Sequence, residues 1–280
     1  VIRQRTIKNP VAVEGAGLQT GEKVTLTLKG SPANSGINFI RVDLPNKPLL
    51  NIQSAMPSSL KEQGLERRTT LGIGPLQIQT TEHFLAALSG LSIDNIVAET
   101  DNEELPGLDG SAKGFVDAIK KAGIVEQDAP KKRLKIDEAI WCKGDDSFLA
   151  AFPDEDFKIS YMLYYKNASL GTQFFSIALN DKNFELEIAP ARTFCLEEEA
   201  LQLLKMGLGK GANYENTLVI GKDGPIKNMF RFPDEPVRHK ILDLIGDLQV
   251  LGVPIQGHIV AIKSGHKLNM ELVKRLKEKL

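Results

Sequence analysis

Cysteine is scarce: only Cys142 and Cys195 occur in 280 residues, far apart, outside any CxxC and away from histidine at metal-site spacing. That usage argues against a thiolate metal site or a disulfide framework, and reduced, buried thiols are expected. No run approaches the roughly 18 apolar residues of a membrane span, so no transmembrane segment is expected. The opening VIRQRTIKNP lacks the apolar stretch of a signal peptide, which makes the cytoplasm the expected location. An excess of basic charge is missing too, with 35 basic against 36 acidic residues and a net charge of -1. Phosphate backbones usually demand such an excess, so nucleic acid is not an expected partner. Histidine is limited to four positions, His83, His239, His258 and His266, and the HExxH signature of zinc peptidases is absent.

What is present is ordinary globular material: 42% hydrophobic, 25% charged and 6% aromatic residues. The length favours two modest domains over one or three. Lys23 to Lys29 (KVTLTLK) alternates polar and apolar residues with the period of a half-buried strand. Glu126 to Arg133 (EQDAPKKR) is charged, poor in apolar residues and holds a proline, so it is expected as an exposed linker between domains 1–125 and 134–280. The halves echo each other in the order of their elements. A helix from about Thr80 leads to a strand (NIVAET) and a helix (SAKGFVDAIKKAG); a helix from about Pro236 leads to a strand (HIVAIK), a short turn and a helix (NMELVKRLKEKL). Each half has a histidine on its first helix, so packing the halves face to face would let His83 and His239 meet at an interface, a common place for ligand sites.

His239 and Asp243 are four apart on a predicted helix, which stacks their side chains on one face and lets both reach one ion. Asp234 or Glu235 is expected to cap that helix, Pro236 suits its first position, and Gly252 with Pro254 ends it. At 100° per residue, Val237, Ile241, Leu244, Ile245 and Leu248 form one stripe; His239, Asp243 and Asp247 lie nearly opposite, flanked by Leu242, Gly246 and Val250. The helix is therefore expected to be covered on both sides, where paired carboxylates need a cation or strong donors. Catalytic zinc takes three protein ligands and leaves a position for water, so a third ligand is needed. His258 reads as strand-borne and structural. His83 sits beside Glu82, and the 100° between them suits a histidine ligand next to a carboxylate general base. His266, in the turn Lys263 to His266, suits a proton donor, with Asp247 placed to raise its pKa. Taken singly, each feature also has a structural explanation: a solvated stripe, a helix-dipole partner for Glu82, a core histidine, a capped turn.

Thr80 to Asn95 (TTEHFLAALSGLSIDN), Leu105 to Ala112 (LPGLDGSA), Ala191 to Cys195 (ARTFC), Pro236 to Asp247 (PVRHKILDLIGD), Lys263 to Asn269 (KSGHKLN) and a GxGLxTG opening at Gly15 to Gly21 together resemble the UDP-3-O-acyl-N-acetylglucosamine deacetylase family from one end of the chain to the other. The resemblance implies hydrolysis of the acetamide of UDP-3-O-(3-hydroxyacyl)-N-acetylglucosamine to acetate and a free amine, in lipid A biosynthesis. It implies Zn²⁺, with Fe²⁺ as an alternative native metal, held by His83, His239 and Asp243. Glu82 is implied as base and His266 as acid with Asp247 behind it; Thr193 would meet the tetrahedral intermediate, and Leu18, Phe194, Lys240 and Lys263 the substrate. The implied fold class is α+β, two similar domains in a β-α-α-β sandwich with helices between the sheets, and a βαβ insert at about 187–218 forming an acyl passage. A monomer making transient contact with the inner membrane surface is expected. Gln19 departs from the family's usual histidine and can neither take up a proton nor bind zinc well. A zinc amidase acting on another substrate and a catalytically silent sugar-nucleotide or lipid-binding module are the competing readings.

Overall fold

A computed structural model describes residues 2–55, 68–166 and 169–280. The first half runs β1 (Arg3–Ile7), β2 (Val11–Ala16), β3 (Lys23–Gly30), β4 (Ile37–Arg41), β5 (Leu49–Asn51), the hairpin β6 (Leu71–Ile73) and β7 (Leu76–Ile78), α1 (Glu82–Gly90), β8 (Ile96–Thr100) and α2 (Lys113–Ala122). In β3, Val24, Leu26 and Leu28 are buried while the residues between them are not, the one-sided burial its alternation predicts. In α2, Phe115, Val116, Ile119 and Ala122 are buried at helical spacing, and the helix stops at Gly123, whose φ of +80° suits glycine.

The chain continues through β9 (Ile124–Pro130), β10 (Leu134–Lys135), β11 (Ile140–Lys143), β12 (Phe148–Phe152), β13 (Phe157–Tyr164), β14 (Thr172–Ala178), the single turn α3 (Asp181–Asn183), β15 (Phe194–Leu196), α4 (Glu197–Lys205), β16 (Leu218–Gly221), β17 (Gly224–Pro225), α5 (Glu235–Leu248), β18 (Ile255–Ile262) and α6 (His266–Lys277). The segment expected as a linker is thus mostly strand. β9 pairs antiparallel with β1, so its polar residues sit on a ribbon whose backbone is satisfied by pairing instead of by water. The insert also begins later than expected: parallel β15 and β16 with α4 between them span 194–221, and Phe184–Ile188 upstream is one π-helical turn.

The two main sheets repeat one topology. The order β2-β3-β8-β4-β5 in the first matches β11-β12-β18-β13-β14 in the second, where β10 adds to β18. In each, the strand between the two helices is parallel to one neighbour, β4 or β13, and antiparallel to the other, β3 or β12. The echo in element order is therefore a structural repeat, and the fold is α+β. On this basis we propose two domains meeting near residue 130.

Helices cover the inner face of each sheet: Phe84 of α1 meets Phe39 of β4 and Phe115 of α2 edge-on at 5.9 and 5.5 Å, while α5 packs on β13 and α6 on β11 and β12. α1 then packs directly on α5. A single hydrophobic cluster runs from Ile7 to Leu276 through both halves, so the faces that meet are core and not surface. This covers α5 on both sides, and Asp243 and Asp247 are buried with its leucines. Among the described residues no helix is long and apolar enough to cross a membrane.

Candidate active site

Gly246 on α5 brings the two central helices together. A Cβ there would stand 2.0 Å from the Glu82 carbonyl oxygen, so only glycine lets the first turn of α1 lie this close to α5. The approach turns His83 of α1 toward His239 and Asp243 of α5. His239 Nε2 and His83 Nε2 lie 3.3 and 3.7 Å from Asp243 Oδ1, the imidazoles meet edge-on at 5.0 Å, and all three side chains are buried.

The donor set fits a divalent cation. One ligand atom from each of the three residues lies within 4.8 Å of the others. His239 Nδ1 is 3.0 Å from the Ala191 carbonyl, a pure acceptor, so Nδ1 carries a hydrogen and Nε2 is the ring nitrogen turned toward the carboxylate. Burial and the neighbouring His239 push His83 down to about 3, leaving it neutral. Burial opposes ionisation of Asp243, yet Lys240, 2.7 Å from Oδ2, and His239 outweigh it and hold the carboxyl well below the usual range. Two imidazoles and a carboxylate gathered in the interior form the His₂Asp set that first-row divalent ions accept.

Around this cluster lie two further titratable groups, Glu82 and His266. Burial pushes the Glu82 carboxyl up to about 7, with Asp243 and Asp247 adding to the shift and His266 opposing it. His266 is the first residue of α6, not part of the turn before it. Burial works against its imidazolium, but Asp247, accepting from Nδ1 at 2.8 Å, pushes it up to about 9. Asp247 has no exposure and also accepts from Asn269 Nδ2 at 2.7 Å and from the Thr69 hydroxyl.

A cleft of about 1350 Å³ opens onto these groups, lined by Glu82, His83, His239, Lys240, Asp243 and His266 with Leu18, Thr193, Phe194 and Lys263. Every residue assigned to the site from the sequence thus lines this cleft except Asp247, which stands behind His266. Phe194 packs edge-on against His239 and Tyr165. Lys263 pairs with Asp146, and Lys240 with Asp243, so Lys240 faces the ligand cluster as well as the cleft. His258 is in β18, 2.8 Å from the Ser160 hydroxyl and outside the cleft lining, as a structural histidine should be.

Several supporting residues left no trace in spacing or periodicity. Glu104 is buried and accepts from the amides of Gln19 and Thr20 and from the hydroxyls of Thr20 and Thr80, holding Thr80 at a φ of +55° two residues ahead of Glu82. Asp234 makes no capping bond; its carboxylate pairs with Arg238. Glu235 instead accepts from Arg192 Nε and from the amides of Arg192 and Arg231, tying the Ala191–Phe194 segment to the start of α5. Gln19 serves the insert: its Oε1 accepts from the Gly209 amide at 3.1 Å and its carbonyl from the Lys210 amide at 3.1 Å. A neutral amide acceptor suffices for that contact.

Residues 4–278 match the family model described as UDP-3-O-acyl N-acetylglycosamine deacetylase. The chain belongs to this family. A UDP-3-O-acyl-N-acetylglucosamine deacetylase of Chlamydia felis is 42% identical over 280 residues, covering 99% of this chain and 98% of its own. One of Trichormus variabilis is 39% identical over 280 residues, covering 98% of each. The bifunctional enzyme LpxC/FabZ of Chlorobaculum tepidum is 38% identical over 308 residues, and there the chain spans 65% of the relative's length. The cleft, the buried His₂Asp cluster and the flanking Glu82 and His266 stand as one unit.

Proposed function

We propose that the chain hydrolyses the acetamide of a UDP-3-O-acyl-N-acetylglucosamine to acetate and the free amine, the reaction named for its relatives and, by resemblance, a step of lipid A biosynthesis. The observation that carries this reading is the His₂Asp cluster at the base of a cleft with a buried carboxylate on one side and a buried imidazole on the other. A silent binding module needs none of these groups. The cleft suits a two-part ligand. Its lining includes Ala200, Leu201, Leu203 and Leu204 of α4 with Val219 of β16, all from the insert, and Lys143, Lys166, Lys263 and Lys267, all from outside it. Leu201 and Leu204 remain 57% and 58% exposed, apolar surface that an acyl chain would cover, while the lysines suit a diphosphate.

His83, His239 and Asp243 would hold Zn²⁺, or Fe²⁺ in its place. When bound there, a divalent ion acidifies water and polarises a carbonyl. Glu82 takes the proton of the attacking water, and its raised pKa makes it a competent base near neutrality. The Thr193 hydroxyl meets the developing oxyanion. Nδ1 of His266 is committed to Asp247, so Nε2 gives the proton that releases the glucosamine nitrogen. A sugar nucleotide is a cytoplasmic metabolite and its acyl chain a membrane component, so the proposal includes a cytoplasmic monomer that meets its substrate at the inner membrane surface.

The direct test is acetate release from the UDP-sugar before chelation, after chelation and after metal add-back. Activity that chelation removes and Zn²⁺ or Fe²⁺ restores is expected; binding of the sugar nucleotide without acetate release in the metal-loaded protein would favour the silent module. The pH dependence has a defined sign. Glu82 acts deprotonated, so the rate rises with pH through its pKa, at or below about 7 because a bound cation stabilises the carboxylate further. His266 acts protonated, so the rate falls as pH rises through its pKa, at or below about 9 because the same cation disfavours the imidazolium. In Asp247→Asn the alkaline limb should move down toward the ordinary imidazole range, and a limb that stays in place would separate His266 from it.

A further inference from the structure

Thr69 lies just before the β6–β7 hairpin, has no exposure, and no motif pointed to it. Its amide donates to Glu82 Oε2 at 3.0 Å, while its hydroxyl donates to Asp247 Oδ1 and lies 3.2 Å from His266 Nδ1. Its carbonyl accepts from the Thr81 amide and hydroxyl, each at 3.3 Å, which ties it to the start of α1. One residue therefore touches the base, the carboxylate behind the acid, and the acid.

A threonine hydroxyl has one hydrogen, and here it is used at Asp247. Toward His266 Nδ1 the Thr69 oxygen can then only accept. Nδ1 faces two acceptors, Thr69 Oγ1 and Asp247 Oδ2, and keeps its hydrogen in both protonation states of the ring. The mobile proton is confined to Nε2. On the carboxylate side, Oδ1 is taken by Thr69 and Oδ2 by His266 and Asn269, which fixes the carboxylate plane and with it the imidazole.

We propose that Thr69 is the positioning residue that sets base and acid relative to each other, its amide holding Glu82 and its hydroxyl fixing the Asp247–His266 pair in the Nδ1–H form. This rests on the deacetylase reading above. The charged groups acting on His266 are Asp247 and Asp243 of α5 and Glu82 of α1. Removing the Thr69 hydroxyl leaves Asp247 with one donor fewer, a more basic carboxylate that holds the imidazolium proton more tightly. His266 then titrates higher and donates less readily.

Thr69→Val keeps shape and β-branching and deletes the hydroxyl; Thr69→Ser restores it. In the zinc-loaded enzyme, Thr69→Val should lower kcat about tenfold with KM and zinc content unchanged, the usual scale for a residue supporting a site from behind. Its alkaline limb should move up, and Thr69→Ser should return both toward wild type. In an Asp247→Asn background Thr69→Val should cost less than about twofold, because the group it orients is gone. The ¹⁵N titration of His266 reads the same contact without turnover: Nδ1 protonated throughout in the wild type, with a raised pKa in Thr69→Val. A kcat within twofold of wild type together with an unmoved His266 titration would overturn the role of Thr69. Wild-type protein that releases no acetate while its His266 titration still responds to Thr69→Val would overturn the deacetylase reading instead.

Discussion

Asp243→Asn should empty the metal site and reduce acetate release by at least about a hundredfold, because stabilising charge in the transition state is worth several kcal/mol and each 1.36 kcal/mol is a factor of ten. Asp243 supplies the negative charge of the His₂Asp set, and without it the two imidazoles face the cationic Lys240 across a buried space. The replacement keeps shape, so lost metal can be told apart from collapse. Metal content after dialysis, circular dichroism and turnover are the three measurements. A folded Asp243→Asn protein that keeps stoichiometric metal and turns over normally would remove Asp243 from the ligand set.

Glu82→Gln should lower kcat by about a hundredfold or more, the range found when a positioned general base is lost, while the metal stays bound. The amide keeps an oxygen for the Thr69 N–H but has no basic lone pair for a water proton. Packing should hold as well, since the close contact with Gly246 is made by the Glu82 backbone and not by its side chain. Zinc content equal to wild type with kcat near one per cent or below is the expected pair of results. Half of normal turnover would assign the base elsewhere. Together the two variants separate holding the ion from moving the proton, since only Asp243→Asn should change metal content.

Much of this is legible along the chain. The two helices bearing His83 and His239, the i, i+4 placement of Asp243 and the repeat in element order follow from local periodicity, which side-chain burial enforces at 3.6 or 2 residues per turn. The apolar circumference of α5 anticipates its cover by a second helix layer. Two local readings go the other way. Glu126 to Arg133 looks like a linker because its composition is polar, yet β1 supplies Glu126 to Pro130 with a pairing partner that composition does not reveal. Asp234 stands where a cap belongs but is drawn to Arg238, and Glu235 is drawn to Arg192 from 43 positions away. Such contacts depend on partners distant in sequence, and no window along the chain contains them.

The order of residues was enough to establish the family and the α+β class, and to single out candidates for binding a metal and moving protons. That His83, His239 and Asp243 come within one ion's reach was decided only in the folded chain, because it depends on how closely α1 can lie on α5, and a missing Cβ at Gly246 sets that distance. Folding also decided how Asp247 and Thr80 are held, through Thr69, Asn269 and Glu104, since polar side chains buried far from one another in sequence choose partners only when the core closes around them.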